Sequence, residues 1–600
     1  MFRVYLFKSI IVVSLLICVA CGSSKNDYGP MVSQVHFQQK ITELIHELDT
    51  LHEASTKSVK TDSLRAMFSR CRMTYKETEL FIEYYFQGLT KRINGPALPD
   101  VKTEDGQVWP PHGLQVMEQY LFTEPADSNR ADLQKEIRLL QADLKFILAN
   151  LPATTILPQH AKEIVQHELI RIVTQGITGF DSPISLQSIP ETIAALNGIR
   201  QFQKAFYGEQ ASATWEKQID TTIARLQQEK DFDTMDRLAL IADHLMPLSQ
   251  SLASSITDVK ADSLVTKPFR GTLDDLMKGR GFNPDYYTTY AEGISNTEKV
   301  ALGKRLFYDQ RLSASTTLSC GSCHRPELFF TDGKVKAEDF IHGGSLQRNT
   351  PGLFYAAMQS HQFYDLRSTT LEDQAHQVFF NKDEFNFSDT AIAKKLTKDS
   401  AYGEAFSKAF PKSDKLSGYE VRNAIGAYVR SLMPFRSRWD QYMQGNKEAL
   451  TAEEKHGFTL FAGKAKCATC HFIPLFNGNI PPWYTKSESE IIGVPQQAVW
   501  TKAIIDPDSG RYRINPISEL AFAFKTPTVR NIEKTGPYMH NGVYTSLNDV
   551  VEFYHRGGGV GLGIDLPFQT LPFDSLILSK TDKKAIVAFM RSLTDETPAK

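Results

Sequence analysis

Leu318-Ser319-Cys320-Gly321-Ser322-Cys323-His324 is the stretch around which this chain is organised. Two cysteines separated by two residues and followed by histidine form the pattern of covalent c-type haem attachment. Thiols one short turn apart can form thioethers to the two vinyl groups of one porphyrin. The adjacent histidine then ligates the iron. The pattern recurs at Cys467, Cys470 and His471. A zinc site would need four ligands per centre, and no nearby second Cys/His pair supplies them. A thioredoxin-like redox pair does not require the following histidine. Two covalently bound c-type haems are therefore expected, with Cys320, Cys323, Cys467 and Cys470 as attachment points and His324 and His471 as proximal ligands.

Working outward, 600 residues imply several domains, and a net charge of −2 with no long basic run argues against a nucleic-acid partner. Of seven cysteines, four belong to the two motifs and two to the first 21 residues, leaving Cys71 alone. A disulfide framework is excluded. At the start, Arg3 and Lys8 precede an apolar run from Ile10 to Ala20 that is too short to span a bilayer comfortably. Cys18-Val19-Ala20-Cys21 followed by Gly-Ser-Ser resembles a bacterial lipoprotein signal, with cleavage before Cys21 and lipidation of its thiol, although Cys18 stands where Leu is usual. A plain secretory peptide is the alternative. Both place the mature chain in the cell envelope, and the first adds a lipid anchor to the membrane at its periplasmic face.

The expected architecture is mainly α. Residues 1–20 read as the signal peptide and 21–253 as a helical bundle domain. Ile41, Leu44, Leu48 and Leu51, then Leu133, Ile137, Leu140, Leu144, Ile147 and Leu151, recur at the spacing of one helix face. Breaks at residues 94–99 and 176–183 separate helices. Residues 254–290, loosened by Pro268, Gly271, Gly279, Gly281 and Pro284, read as a linker. Two tandem cytochrome-c-like haem domains follow at 291–440 and 441–600. Leu302-Gly-Lys-Arg-Leu-Phe307 before the first motif is echoed by His456-Gly-Phe-Thr-Leu-Phe461 before the second. Within the bundle, His167-Glu168 opens like a zincin motif, but Arg171 stands where the second metal ligand would be. Gly113-Leu-Gln-Val-Met-Glu118-Gln-Tyr-Leu-Phe122 weakly resembles the G-x-H-x-x-E region of imelysin-like helical proteins, with Gln115 in the histidine position. A structural or docking role is the expectation for the bundle.

The C-terminal half carries a more specific resemblance. Gly303-Lys-Arg-Leu-Phe, Cys320-x-x-Cys-His-x-Pro326, Arg348-Asn-Thr-Pro351, Gln362-Phe-Tyr-Asp-Leu-Arg367, Leu371-Glu-Asp-Gln-Ala375, Lys525-Thr-Pro-Thr-Val-Arg-Asn531, Gly536-Pro-Tyr-Met-His540 and Phe553-Tyr-His-Arg-Gly-Gly558 occur in order. This series resembles the bacterial dihaem cytochrome c peroxidase/MauG family over roughly residues 290–598. The resemblance implies that hydrogen peroxide is the substrate, that the haem on His324 is the reaction centre and that the haem on His471 is the electron relay. It places the acid-base glutamate on Glu384 and its companion glutamine on Gln374. It puts Tyr364 in the inter-haem aromatic position, where the family has tryptophan, and an inter-haem Ca2+ on Asn349 with the carbonyls of Thr535 and Pro537. His342 falls in the region of a reversible ligand to the first haem; a distal hydrogen bonder and a surface-loop histidine stay open. Tyr554 occupies the sixth-ligand position of the second haem, with Met539 and His555 as rivals. A thioether there favours Fe(II), whereas a phenolate favours higher oxidation states.

The function these residues imply is reduction of peroxide by electrons from an external donor, either a small cytochrome c or cupredoxin or a quinol-linked protein. A MauG-like oxidase acting on a protein or small molecule is the alternative, and a non-catalytic dihaem electron carrier is a third reading.

Overall fold

The computed structural model describes residues 28–124, 126–208, 213–254, 267–288, 291–413, 415–572 and 574–596. The expected signal peptide and Cys21 lie outside them. The fold is mainly α. The described strands form two short antiparallel pairs, Asp100–Lys102 with Gln107–Trp109 and Ser489–Ile491 with Ala523–Lys525. Among the described residues no helix is long and apolar enough to cross a membrane.

In the N-terminal half, the two apolar series read from the sequence lie on the Tyr28–Ser55 and Arg130–Asn150 helices, except Leu151, which opens the short turn Leu151–Ala153. Their apolar faces meet around Leu64, Phe68 and Met117 in one buried cluster. Burying a face of this kind contributes about 1.5–3 kcal/mol per large aliphatic side chain, which is what holds helices whose polar faces remain wet.

The repeated Gly-x-x-x-Phe element of the C-terminal half is a structural repeat. The Thr297–Phe307 helix crosses the Gly418–Arg430 helix at Gly303, where an added Cβ would lie 1.8 Å from the Ala424 carbonyl oxygen. The Ala452–Phe461 helix crosses the Lys580–Ser592 helix at Gly457, where a Cβ would lie 2.0 Å from the Ala585 oxygen. Glycine at these two positions lets the backbones touch. Each helix ends on a buried phenylalanine, Phe307 or Phe461, ahead of its Cys-x-x-Cys turn.

The first haem domain has its own core, running from Leu302 to Val429. The second does not. Leu169, Val173 and Leu240 of the bundle belong to the same buried cluster as Phe458, Phe461 and Phe476. Polar contacts cross the same seam: Gln175 Nε2 donates to the Pro481 carbonyl at 2.8 Å, and Lys466 Nζ to the Pro183 carbonyl at 3.0 Å. The stretch expected as a linker is, over residues 267–288, packed into this core through Leu273, Leu276 and Met277. Its loosened pattern reflects turns at Gly279 and Gly281, both at positive φ, rather than unpacked chain.

Gly457→Ala is expected to cost about 1–3 kcal/mol, the usual penalty of overpacking. Gly403→Ala, in an open helical position with nothing within 4 Å, is expected to stabilise by roughly 0.5–1 kcal/mol. Thermal unfolding of the two variants against wild type checks the opposite signs.

Candidate functional site

Each Cys-x-x-Cys-His turn presents its histidine in the same way. His324 Nδ1 lies 2.9 Å from the Phe330 carbonyl oxygen, and His471 Nδ1 lies 3.0 Å from that of Pro527. A backbone acceptor fixes the proton on Nδ1 and leaves Nε2 as the donor atom for a metal. Burial lowers both imidazole pKa values, His471 to about 4, so the ring is neutral at physiological pH, as a ligand must be. None of the four motif cysteines is in a disulfide. Burial pushes the thiols of Cys320, Cys323 and Cys467 up to about 12.

A cavity of about 1020 Å³ opens beside the second turn. Cys467, Cys470, His471, Tyr554 and Met539 line it, and it extends to Tyr364, Gln374 and Asn349. Lys525 and Arg511 also face it. Among the described residues the Lys525 ammonium donates to Gln359 Oε1 and the His361 carbonyl, and desolvation lowers its pKa to about 7. Among the described residues Arg511 Nε is buried without a hydrogen-bond partner. Paired cysteines outside any disulfide, a neutral imidazole beside them, an apolar void and desolvated cations fit a c-type haem, whose propionates are anionic. The chain's donor set and the prosthetic group match.

Near the first turn, the Leu371–Phe380 helix starts at Thr370, whose hydroxyl accepts from the Asp373 amide, and it carries Gln374. The turn that follows brings in Glu384, whose Oε2 accepts from Asn381 Nδ2 at 2.5 Å. Burial raises the Glu384 pKa. Its charge is felt at both Cys320 and Cys323, which puts the carboxyl within electrostatic reach of the first attachment turn.

Of the candidate sixth ligands of the second haem, Tyr554 and Met539 line the cavity with His471, whereas His555 is not among its lining residues. The His555 ring is instead turned so that Nδ1 lies 2.5 Å from the Leu576 carbonyl oxygen. Burial raises the Tyr554 phenol well above its ordinary pKa. His342 sits on an exposed loop, its Nδ1 3.3 Å from Asp339 and 3.4 Å from Asp383, the neighbour of Glu384. Asn349, Thr535 and Pro537 line one cavity. The Asn349 Nδ2 donates to the Lys334 carbonyl, which leaves Oδ1 available to a cation.

The seam between the haem domains is held by charge and backbone. Arg348 reaches Asp365 at 2.7 Å on its own side and Asp508 at 2.6 Å on the other. The Asn349 amide donates to the His540 carbonyl, and the Lys525 amide to the carbonyl of Tyr364, both at 2.7 Å.

The family profile described as di-haem cytochrome c peroxidase matches residues 297–448. Methylamine utilization protein MauG of Methylorubrum extorquens is 33% identical over 50% of this chain and 80% of its own length. The chain belongs to the di-haem cytochrome c peroxidase family. Cytochrome-c peroxidase IdrP2 of Denitromonas iodatirespirans is 30% identical over 50% of this chain and 83% of its own. Among solved structures, a MauG-like protein associated with microbial copper homeostasis aligns with TM-score 0.46 and 28% identity, over 56% of this chain and 96% of that one. Membership makes the chain a peroxide-dependent oxidoreductase with two c-type haems.

Sequence reasoning missed several residues at the site. Lys525 stood inside a quoted motif with no role given to it, and a desolvated lysine has no signature in one sequence. The Phe330 and Pro527 carbonyls that orient the histidines are backbone atoms, which leave no side-chain trace.

A Cys467→Ser/Cys470→Ser chain is expected to carry one covalent haem where wild type carries two, as counted by haem absorbance in alkaline pyridine per mole of protein.

Proposed function

We propose that this member of the family reduces hydrogen peroxide to water at the haem held by Cys320, Cys323 and His324, with electrons relayed through the haem on Cys467, Cys470 and His471. The observation that carries the assignment of sites is Glu384, a desolvated carboxyl within electrostatic reach of the first attachment turn. When bound, the haem supplies the iron that takes peroxide and the electrons that cleave its O–O bond. The chain supplies the proton traffic. Asn381 Nδ2 occupies Glu384 Oε2, so Oε1 is the atom that would take a proton from one oxygen of peroxide and return it to the other. The balance is H2O2 + 2 e− + 2 H+ → 2 H2O. Gln374 orients the substrate beside Glu384, and Tyr364, half-buried at the domain seam, is the aromatic spacer between the haems.

A MauG-like oxidase that directs peroxide at another molecule is the second reading, and Tyr554 favours it. Tyr554 lines the second haem's cavity, and a phenolate ligand there would stabilise high oxidation states at that iron. Asn349 Oδ1 with the carbonyls of Thr535 and Pro537 is an oxygen-only set suited to Ca2+ between the haems. His342, on its exposed loop, is proposed as a gate to the first haem. The electron donor is a small cytochrome c, a cupredoxin or a quinol-linked protein. The enzyme acts in the cell envelope, anchored through lipid on Cys21.

Glu384→Gln is expected to lower peroxide turnover by about 10²–10⁴-fold with the haem spectrum unchanged. Glu384 works as a base when deprotonated and burial raises its pKa. Wild-type turnover should therefore rise with pH along a limb lying above the ordinary glutamate value of about 4.3. That limb should be missing in Glu384→Gln; retained turnover would remove Glu384 from the mechanism. Stopped-flow consumption of peroxide by the diferric and the one-electron-reduced protein separates the two readings. Activity only after reduction fits a gated peroxidase, and immediate reaction of the diferric form fits the MauG-like oxidase.

A further inference from the structure

The N-terminal half has no part in the reading above, yet its residues enter the second haem's cavity. Leu98, Gln115, Gln119, Phe180 and Ile184 of the bundle line the same void as Cys467, Cys470 and His471. We propose that the bundle is a wall of the second haem's pocket, with Leu98, Phe180 and Ile184 as haem-binding residues. This rests on the reading that a haem is attached at Cys467 and Cys470.

Three observations support it. First, large apolar side chains stand half-exposed at the cavity: Leu98 is 36% and Ile184 42% exposed on the bundle side, and Phe568 is 37% exposed on the haem-domain side. Leaving such groups wet forfeits much of their burial energy. A porphyrin tethered by two thioethers in the same void is the partner that would cover them. Second, the wall is pinned to the attachment turn itself. Lys466, the residue before Cys467, donates to the Pro183 carbonyl next to Ile184, and the Phe180 ring meets that of Phe472, the residue after His471, at 5.7 Å. Third, the bundle brings charge. Lys91, hydrogen-bonded to Asp100 at 2.8 Å, feels Glu488 and Glu490, and all four residues line the cavity. A wall that excludes water and carries its own charges sets the potential of the haem it covers. The bundle is then an electrostatic component of the relay rather than an appended module.

Ile184 is the position to test, because a half-exposed side chain accepts a charge without loss of the core. In the full-length holoprotein, Ile184→Glu and Ile184→Lys are each titrated potentiometrically, with the two haems followed by their separate absorption and electron paramagnetic resonance signals. An anion beside the pocket disfavours adding an electron, and a cation favours it. The midpoint potential of the second haem should fall in Ile184→Glu and rise in Ile184→Lys, with the first haem unmoved. Shifts of the same sign in both variants, shifts shared equally by both haems, or no shift would overturn the proposal. Haem counting on the same samples separates the two levels of the argument. Two haems with unmoved potentials sink this inference alone, whereas a single haem in the wild-type protein counted alongside sinks the attachment reading as well.

Discussion

The architecture depends on a space that no side chain fills. Protein interiors are packed as densely as organic crystals, and a void of about 1020 Å³ walled largely by apolar groups is foreign to a finished core. The chain is built around that space: the Cys467 turn at one side, the Tyr364 and Asn349 segment at another, the bundle at a third. The two histidine tethers to backbone carbonyls belong to the same design. They orient the metal-binding nitrogens through backbone acceptors, so the ligand geometry is tied to the backbone fold.

The helical character, the two attachment turns and the internal repeat were legible in the sequence, because each has a local cause. Apolar residues at the spacing of Leu133, Ile137 and Leu140 produce one face, and Gly303 and Gly457 precede their phenylalanines by the same four residues. What stayed hidden arises from contacts between distant segments. Nothing local distinguishes Ile184 or Leu98 from ordinary loop residues, and the expected linker looked loose because its turns contain glycine while its apolar residues, Leu273, Leu276 and Met277, are few. Glu384 was reachable only through the resemblance, since Lys382 and Asp383 beside it read as a solvated loop. Its partial burial comes from the tertiary fold.

Electron transfer between two centres needs a fixed separation, and the seam provides it with ion pairs and backbone hydrogen bonds beside apolar packing through Tyr355 and Met358. Arg348 sits between Asp365 and Asp508, and two backbone hydrogen bonds flank it. Removing one member of such a partly buried set would leave a charge uncompensated, which costs far more than the pair contributes. The arrangement makes relative motion of the two haem domains expensive. Tyr364 is tied to the boundary through its backbone carbonyl, which accepts from the Lys525 amide of the opposite domain.

The shared core has a consequence for biogenesis. Chains emerge N-terminus first, and domains fold as units in that order. Here Leu169, Val173 and Leu240 wait for partners, Phe458, Phe461 and Phe476, that lie more than two hundred residues downstream. The core of the N-terminal half is therefore completed only when the segment that also carries Cys467 and Cys470 is seated against it, so the folding of the first part of the chain is coupled to that of the last.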